Sequence, residues 1–296
     1  MNKDHPDFAI LSTIREELEA LAGIDGFQGR FPELVRSAVD FVLDPVTTAR
    51  TRVIDLDNVE KTFIGLKLEH FVRDMLNIPK GLRDLRVAGF DVDIKNTVRD
   101  NWSIPKETYR EDGPCLLMII DDEACKCSLG LIVAKPAYLH KGIGNRDTKK
   151  GVSAQGRKNI MWLIQDFPYP PSRFSELDMA EFRRLRAMSG GSRRAAEFFR
   201  QNVGKTIHRS VIQTLLYDQK DPMKRLRFNG GAPDILQYEG IAILIGTYSR
   251  DKKIARGLGF VNLGTDEAIA VKPSNDRQRM LLLHENLISP DFNLIE

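Results

Sequence analysis

Between Phe90 and Lys95 the run FDVDIK alternates apolar and charged residues. A segment with that pattern is committed to a strand, because successive side chains of a strand point to opposite faces. Phe90, Val92 and Ile94 then share one face, and Asp91, Asp93 and Lys95 the other. Ala88-Gly89 offers a turn just before it, with Gly supplying the backbone freedom. The preceding strand therefore returns antiparallel, and Asp84 on it can converge with Asp93 and Lys95. Ahead of this hairpin, Asp57 and Glu60 have capping-box spacing, and Val59, Phe63, Leu66, Val72 and Leu76 recur with helical period. They predict a helix from about Asp57 with those residues as its apolar stripe. Glu69 falls on or beside the stripe, where a lone carboxylate needs a cation or a donor. Gly65, one turn earlier, leaves room for something to approach.

Three carboxylates and a lysine at one place suit a hard divalent cation such as Mg²⁺, which takes one or two carboxylates and completes its shell with water and phosphate oxygens. Phosphodiester hydrolysis uses that chemistry, and a lysine ammonium can position the nucleophile or stabilise developing charge. The residues alone equally allow a surface ion pair between Asp93 and Lys95, with Glu69 an ordinary helix-surface acid.

The order Glu69 on a helix, Asp84, then Asp93-Ile94-Lys95 resembles the PD-(D/E)xK nuclease core, with Arg83 where that family often has Pro. Longer runs are similar to the NaeI-type restriction endonucleases: EKTFIGLKLE from Glu60, VAGFDVDIK from Val87, GNRDTKKGVSAQGR from Gly144 and MKRLRFNGGAPDILQYEGIAILI from Met223. They extend from about Val53 to about Pro273. The resemblance implies a mixed α/β chain: a restriction-endonuclease-like sheet flanked by helices, then a domain that binds a second DNA duplex. It implies Mg²⁺-dependent, sequence-specific cleavage of double-stranded DNA, leaving 5′-phosphate and 3′-hydroxyl ends. Carried over, the catalytic residues are Glu69, Asp84, Asp93 and Lys95. Asp84 and Asp93 would ligate Mg²⁺, Lys95 would orient or help deprotonate the water, and Glu69 would bind a second metal or support the first. A strand-nicking repair nuclease of the MutH-like kind would use the same core. A DNA-binding regulator with an inactive core is the remaining alternative, and the presence of all four acid and lysine positions argues against it.

A chain of 296 residues, 42% hydrophobic and 29% charged, has room for two globular domains. Its net charge of only +3 means that any nucleic-acid surface must come from clustered rather than bulk charge. The N-terminal MNKDHPDF has no apolar run and no stretch reaches bilayer length, so a cytoplasmic protein without membrane contact is expected. Cys115, Cys125 and Cys127 read as core or half-core thiols, with no zinc spacing and no disulfide framework.

Phe8, Leu11, Ile14, Leu18 and Leu21 mark a first amphipathic helix, and Phe31, Leu34, Val35, Ala38 and Val42 a second that stops near Pro45. From Asn96 to Pro114 the chain is polar and irregular, read as a solvated loop anchored by Trp102. CLLMII and CSLGLIVA, joined by Asp121-Asp122-Glu123, read as central strands continuing a meander from FDVDIK. HKGIGNRDTKKGVSAQGR, from His140, sets glycines among Asn145, Arg146, Lys149 and Lys150, which fits either a phosphate-moulding loop with a base-edge contact or a solvated basic loop. A helix from about Ala154 to Ile164 is expected to close an endonuclease domain of residues 1–166. FPYPPS then predicts a linker over 167–173.

Residues 174–296 are expected to form a DNA-binding domain. Arginines cluster on its first helices, among them Arg183 and Arg184, with Arg186, Arg193, Arg194 and Arg200. A helix over Ile207–Tyr217, a DQKD turn, a basic helix over Pro222–Arg227 and a strand over Gly240–Tyr248 resemble a winged helix-turn-helix. Lys224, Arg225 and Arg227 would contact DNA, unless they form a merely solvated face. Cutting both strands of a duplex usually takes two copies of one active site, so a homodimer is expected.

Overall fold

The computed structural model describes residues 1–98, 101–142, 144 and 147–293. The chain divides into two compact units, one of residues 1–43 and 50–172, the other of residues 44–49 and 173–296.

In the first unit α1 (Phe8–Ala22) and α2 (Gly26–Leu43) follow the two expected apolar rows, except that Leu21 is exposed and Ala22 is buried at the end of the first, and α3 (Pro45–Thr48) belongs to the second unit. Helix α4 (Asn58–Leu76) starts at the expected capping box: the Asp57 carboxylate accepts from the Glu60 N–H, and the Glu60 carboxylate accepts from the Asp57 N–H. Its buried row differs from the expected one. Ile64, Leu68, Val72, Met75 and Leu76 face the core, while Val59, Phe63 and Leu66 are exposed. Both rows have helical spacing, and only packing decides which one the sheet covers.

β1 (Leu85–Val87) and β2 (Phe90–Thr97) form the expected hairpin, joined by Ala88 and Gly89 with φ of 51° and 80°. Consecutive left-handed residues are what a two-residue turn between twisted strands requires. The meander ends there. β2 pairs parallel with β3 (Pro114–Asp121), and the connection between them carries α5 (Lys106–Arg110). β3 then pairs antiparallel with β4 (Lys126–Val133). The expected helix over 154–164 is only the single turn α6 (Ala154–Arg157), capped by Ser153, after which β5 (Met161–Pro168) adds an antiparallel edge strand. Met161 and Ile164 are buried there, and the terminal Pro168 is tolerated on an edge. Five strands thus lie in the order β1-β2-β3-β4-β5.

Alternation along β3 divides the core. Leu116, Met118 and Ile120 join α1, α2 and α4 on one face, whereas Cys115 and Leu117 join Trp102, Ile104, Val152 and Ile160 on the other. Trp102 anchors the crossover as expected, its indole N–H donating to the Met118 carbonyl at 2.9 Å. Cys115 and Cys127 are buried, Cys125 partly so, and all three thiols are free. Among the described residues no helix is long and apolar enough to cross a membrane.

The second unit contains α7 (Met179–Arg186), α8 (Gly191–Gln201), β6 (Thr206–His208), α9 (Arg209–Leu215), α10 (Pro233–Leu236), β7 (Ala242–Ile245), α11 (Ser249–Gly257), β8 (Glu267–Val271) and α12 (Asp276–His284). Its three strands are ordered β6-β8-β7, with antiparallel pairings. Ile207 and His208 belong to β6 rather than to a helix, and His208 caps α9 by accepting from the Ser210 N–H. The expected basic helix is a 3-10 segment, Pro222–Leu226, with the Lys224 N–H held by Asp221. The whole is a mixed α/β protein in which a five-stranded mixed sheet is flanked by helices.

Candidate active site

Hairpin register sets Leu85 opposite Val92, which places Asp84, just ahead of β1, beside Asp93. Asp84 Oδ2 accepts the Ile94 N–H at 2.7 Å. The Lys95 ammonium donates to Asp93 Oδ1 and, at 2.9 Å, to the Ile94 carbonyl, and it lies 3.9 Å from Asp84 Oδ2. The other Asp93 oxygen accepts from the Thr108 hydroxyl at 2.7 Å. Asp93 is only 6% exposed, so both its oxygens need these partners.

The two acids are pushed apart electrostatically. Burial, with the neighbouring Asp93 and the Glu69 charge, raises the Asp84 pKa to about 6 against the pull of the Ile94 N–H and Lys95. Burial also opposes the charge on Asp93, but hydrogen bonding with Asp84, the Lys95 charge and its ammonium bond, and Thr108 outweigh it and hold Asp93 below the ordinary carboxylate range. Lys95 is the counter-ion of the pair.

Glu69 stands further off on α4, 3.7 Å from Arg73, and opens onto the same 620 Å³ cleft as Lys95. The helical face of the cleft is a polar row, Asn58, Lys61, Thr62, Gly65 and Glu69, and its opposite side carries Asn96, Asn101, Ser103 and Lys149. Gly65 and Asn96 approach closely: a Cβ on Gly65 would stand 3.0 Å from Asn96 Nδ2, so the Asn96 side chain would have to shift to admit one. The room expected at Gly65 is therefore filled by the Asn96 side chain, whose buried Oδ1 has no hydrogen-bond partner among the described residues.

Among the described residues no three His, Cys, Asp or Glu side chains form a ready-made metal cage. The sequence expectation of three carboxylates at one point thus reduces to two, Asp84 and Asp93, with the third on the cleft wall. Two carboxylates are within what Mg²⁺ takes from a protein, and one of them is kept ionised, so the donor set fits a hard cation.

Of the basic loop, Asn145 and Arg146 lie outside the described residues. Lys149 lines the cleft and is 3.8 Å from Asp147. Lys150 stacks its ammonium 5.5 Å from the Tyr109 ring while its backbone bridges Ile104. In the second unit Arg183, Lys224 and Arg227 are exposed. Arg184 is forked onto Glu181, and Arg225 donates to Gln219. Other arginines of the cluster are structural. Arg194, 3% exposed, reaches Asp218 and the carbonyls of Met188 and Leu215; Arg200 is forked onto Glu239; Arg186 donates to the carbonyls of Val46 and Thr214.

Sequence reasoning missed Thr108, which carries no local signal because only the crossover brings it to Asp93. On α4 it singled out Gly65 and Glu69 but missed Asn58, Lys61 and Thr62, which line the cleft with them at helical spacing. In the second unit it passed over Lys252 and Arg256 of α11, four residues apart on a basic helix beside Asn262 and Gly264.

A model of the restriction endonuclease NaeI family matches residues 18–278. Type II restriction enzyme NaeI of Lentzea aerocolonigenes is 30% identical over 251 residues, 81% of this chain and 77% of that protein. The chain belongs to the NaeI restriction endonuclease family. As a NaeI-family member it is a hydrolase, a site-specific deoxyribonuclease acting on double-stranded DNA. The family expected from the motifs is therefore the one found, and its match runs across both units.

Proposed function

We propose that this NaeI-family enzyme is a Mg²⁺-dependent type II endonuclease whose centre is the Asp84, Asp93 and Lys95 cluster, with Glu69 as the auxiliary acid of the same cleft. The observation that carries this reading is the contrast within the cluster: a buried, ionised Asp93, an Asp84 that titrates near 6, and a lysine between them at the edge of an open cleft. Asp84 and Asp93 would hold the cation. When bound, Mg²⁺ supplies Lewis acidity that strengthens water as a nucleophile and offsets charge on the phosphate. Thr108 and the Ile94 N–H fix the two carboxylates, so little reorganisation is needed. Lys95 orients the attacking water and faces the charge that builds on the phosphate oxygens. Lys61 and Lys149 guide the DNA backbone into the cleft, and Asn145 and Arg146, a few residues before Lys149 in the sequence, are proposed as further DNA contacts.

Mg²⁺ binding should be proton-linked. Asp84 must lose its proton to become a ligand, so affinity falls about tenfold per unit as pH drops below about 6 and is flat above about 7. Calorimetry at pH 5.5 in two buffers of different ionisation enthalpy should show proton release, absent at pH 8. Binding that is independent of pH from 5 to 8 would count against Asp84 as a ligand.

The second unit is proposed to bind a further DNA duplex. Its helix-strand-helix order followed by two strands, with β8 between β6 and β7, supports a winged helix-turn-helix reading in which α11 is inserted between the last two strands. Arg183, Arg184, Lys224, Arg225 and Arg227 are the proposed phosphate contacts. The expected outcome of Lys224→Ala with Arg227→Ala in the full chain is weaker binding and a salt slope shallower by roughly one unit for each phosphate no longer neutralised. An unchanged slope in a titration of affinity against salt would remove them from the interface. Cleavage of both strands is assigned to a homodimer.

A further inference from the structure

Helix α4 has a second apolar row that its own unit does not cover. Val59, Phe63 and Leu66 are 65%, 51% and 53% exposed, and Phe41 of α2 adds a fourth large side chain at 63%. Phe41, Phe63 and Leu66, with Val42, Glu60, Lys67 and His70, line a shallow groove of 410 Å³. Single exposed apolar side chains are ordinary, but a contiguous set marks an interaction surface. The Lys67 ammonium lies 4.3 Å from the Phe41 ring and 4.7 Å from that of Phe71, so a cation already covers part of the aromatic surface.

We propose that this α2/α4 face is where a second copy of the chain docks about a two-fold axis. The inference rests on the homodimer reading above and adds the surface. Position is the first argument. Leu66 lines both the groove and the active-site cleft, so a copy seated on the groove brings its own cleft alongside, as cutting two strands of one duplex demands. Charge is the second. Along α4, Glu60 stands at one end of the row and Lys67 and His70 at the other, about 10 Å apart at 1.5 Å per residue. Two such helices crossing antiparallel near Phe63 set the acidic end of each against the basic end of the other, the self-complementarity an isologous contact requires. Glu60 also pairs with Arg50 of its own chain and closes the capping box, which orients its carboxylate at that end of the row before association.

The test is sedimentation of the full-length protein together with the products of supercoiled-plasmid digestion. The wild type should sediment as two copies and yield linear DNA. Phe63→Glu should raise the dimer dissociation constant at least 100-fold and leave nicked circles, at unchanged thermal stability because the side chain is exposed. Phe41→Glu, on the other helix, should do the same and guards against a folding defect in either variant. If the wild type is a dimer and both variants remain dimers that linearise plasmid, this face is not the interface, although the two-copy reading stands. A wild type that is a single copy at every concentration, with and without DNA, yet cuts both strands, would overturn the two-copy reading itself and this proposal with it.

Discussion

Asp93→Ala should lower cleavage by on the order of 10³-fold or more, and Lys95→Ala by a comparable factor, while DNA affinity changes little. Asp93 is the member of the acid pair held below the ordinary carboxylate range, and it holds both Lys95 and Thr108, so its loss removes a proposed cation ligand and frees the lysine. Lys95→Ala acts differently: it takes the counter-ion from between two carboxylates, which drives the Asp84 pKa higher still. DNA affinity should persist because phosphate binding and metal chemistry are separate functions. Single-turnover cleavage measured beside filter binding separates the two effects. Wild-type cleavage by Asp93→Ala would place the active centre elsewhere.

Arg194→Ala should destabilise the second unit by about 3 kcal/mol, whereas Arg183→Ala should cost less than about 0.5 kcal/mol. Both residues come from one arginine-rich stretch, yet their environments are opposite. Arg194 is 3% exposed, and its removal leaves Asp218 and the carbonyls of Met188 and Leu215 without their donor, while Arg183 stands in solvent. Asp218 is 39% exposed, so water can recover part of the loss, which sets the figure at the lower end of the range for broken buried pairs. Denaturant midpoints of the two variants would decide, and equal midpoints would show that the Arg194 network carries no stability.

The contrast between those arginines illustrates what the sequence could and could not reveal. A strand's alternation is local, so FDVDIK with Ala88-Gly89 yielded the hairpin, the turn and the pairing of Asp84 with Asp93. The capping box at Asp57 and Glu60 was equally local and set the start of α4. Which apolar row of α4 is buried depends on what packs against it, and two rows of similar spacing left Phe63 and Leu66 assigned to the wrong side. Parallel pairing of β2 with β3 was hidden because nothing within CLLMII states its direction; the long segment before it does, and that segment read as a loop. Met161 to Ile164 read as the end of a helix because no breaker follows Gly156, yet an edge position on the sheet buries them as a strand. At the site, Glu69, Asp84, Asp93 and Lys95 were legible as residues, whereas Thr108 reaches Asp93 only through the crossover and had no signature to read.

The most direct measurement is digestion of a supercoiled plasmid by the wild-type protein in Mg²⁺, in Ca²⁺ and in chelator, with the cut ends mapped. In Mg²⁺ a discrete set of fragments sharing one end sequence is expected. In Ca²⁺ DNA should bind without being cut, because the larger, looser coordination shell holds water less productively. In chelator no cleavage is expected. Random ends, or full cutting in chelator, would contradict a site-specific, metal-dependent centre built on Asp84, Asp93 and Lys95.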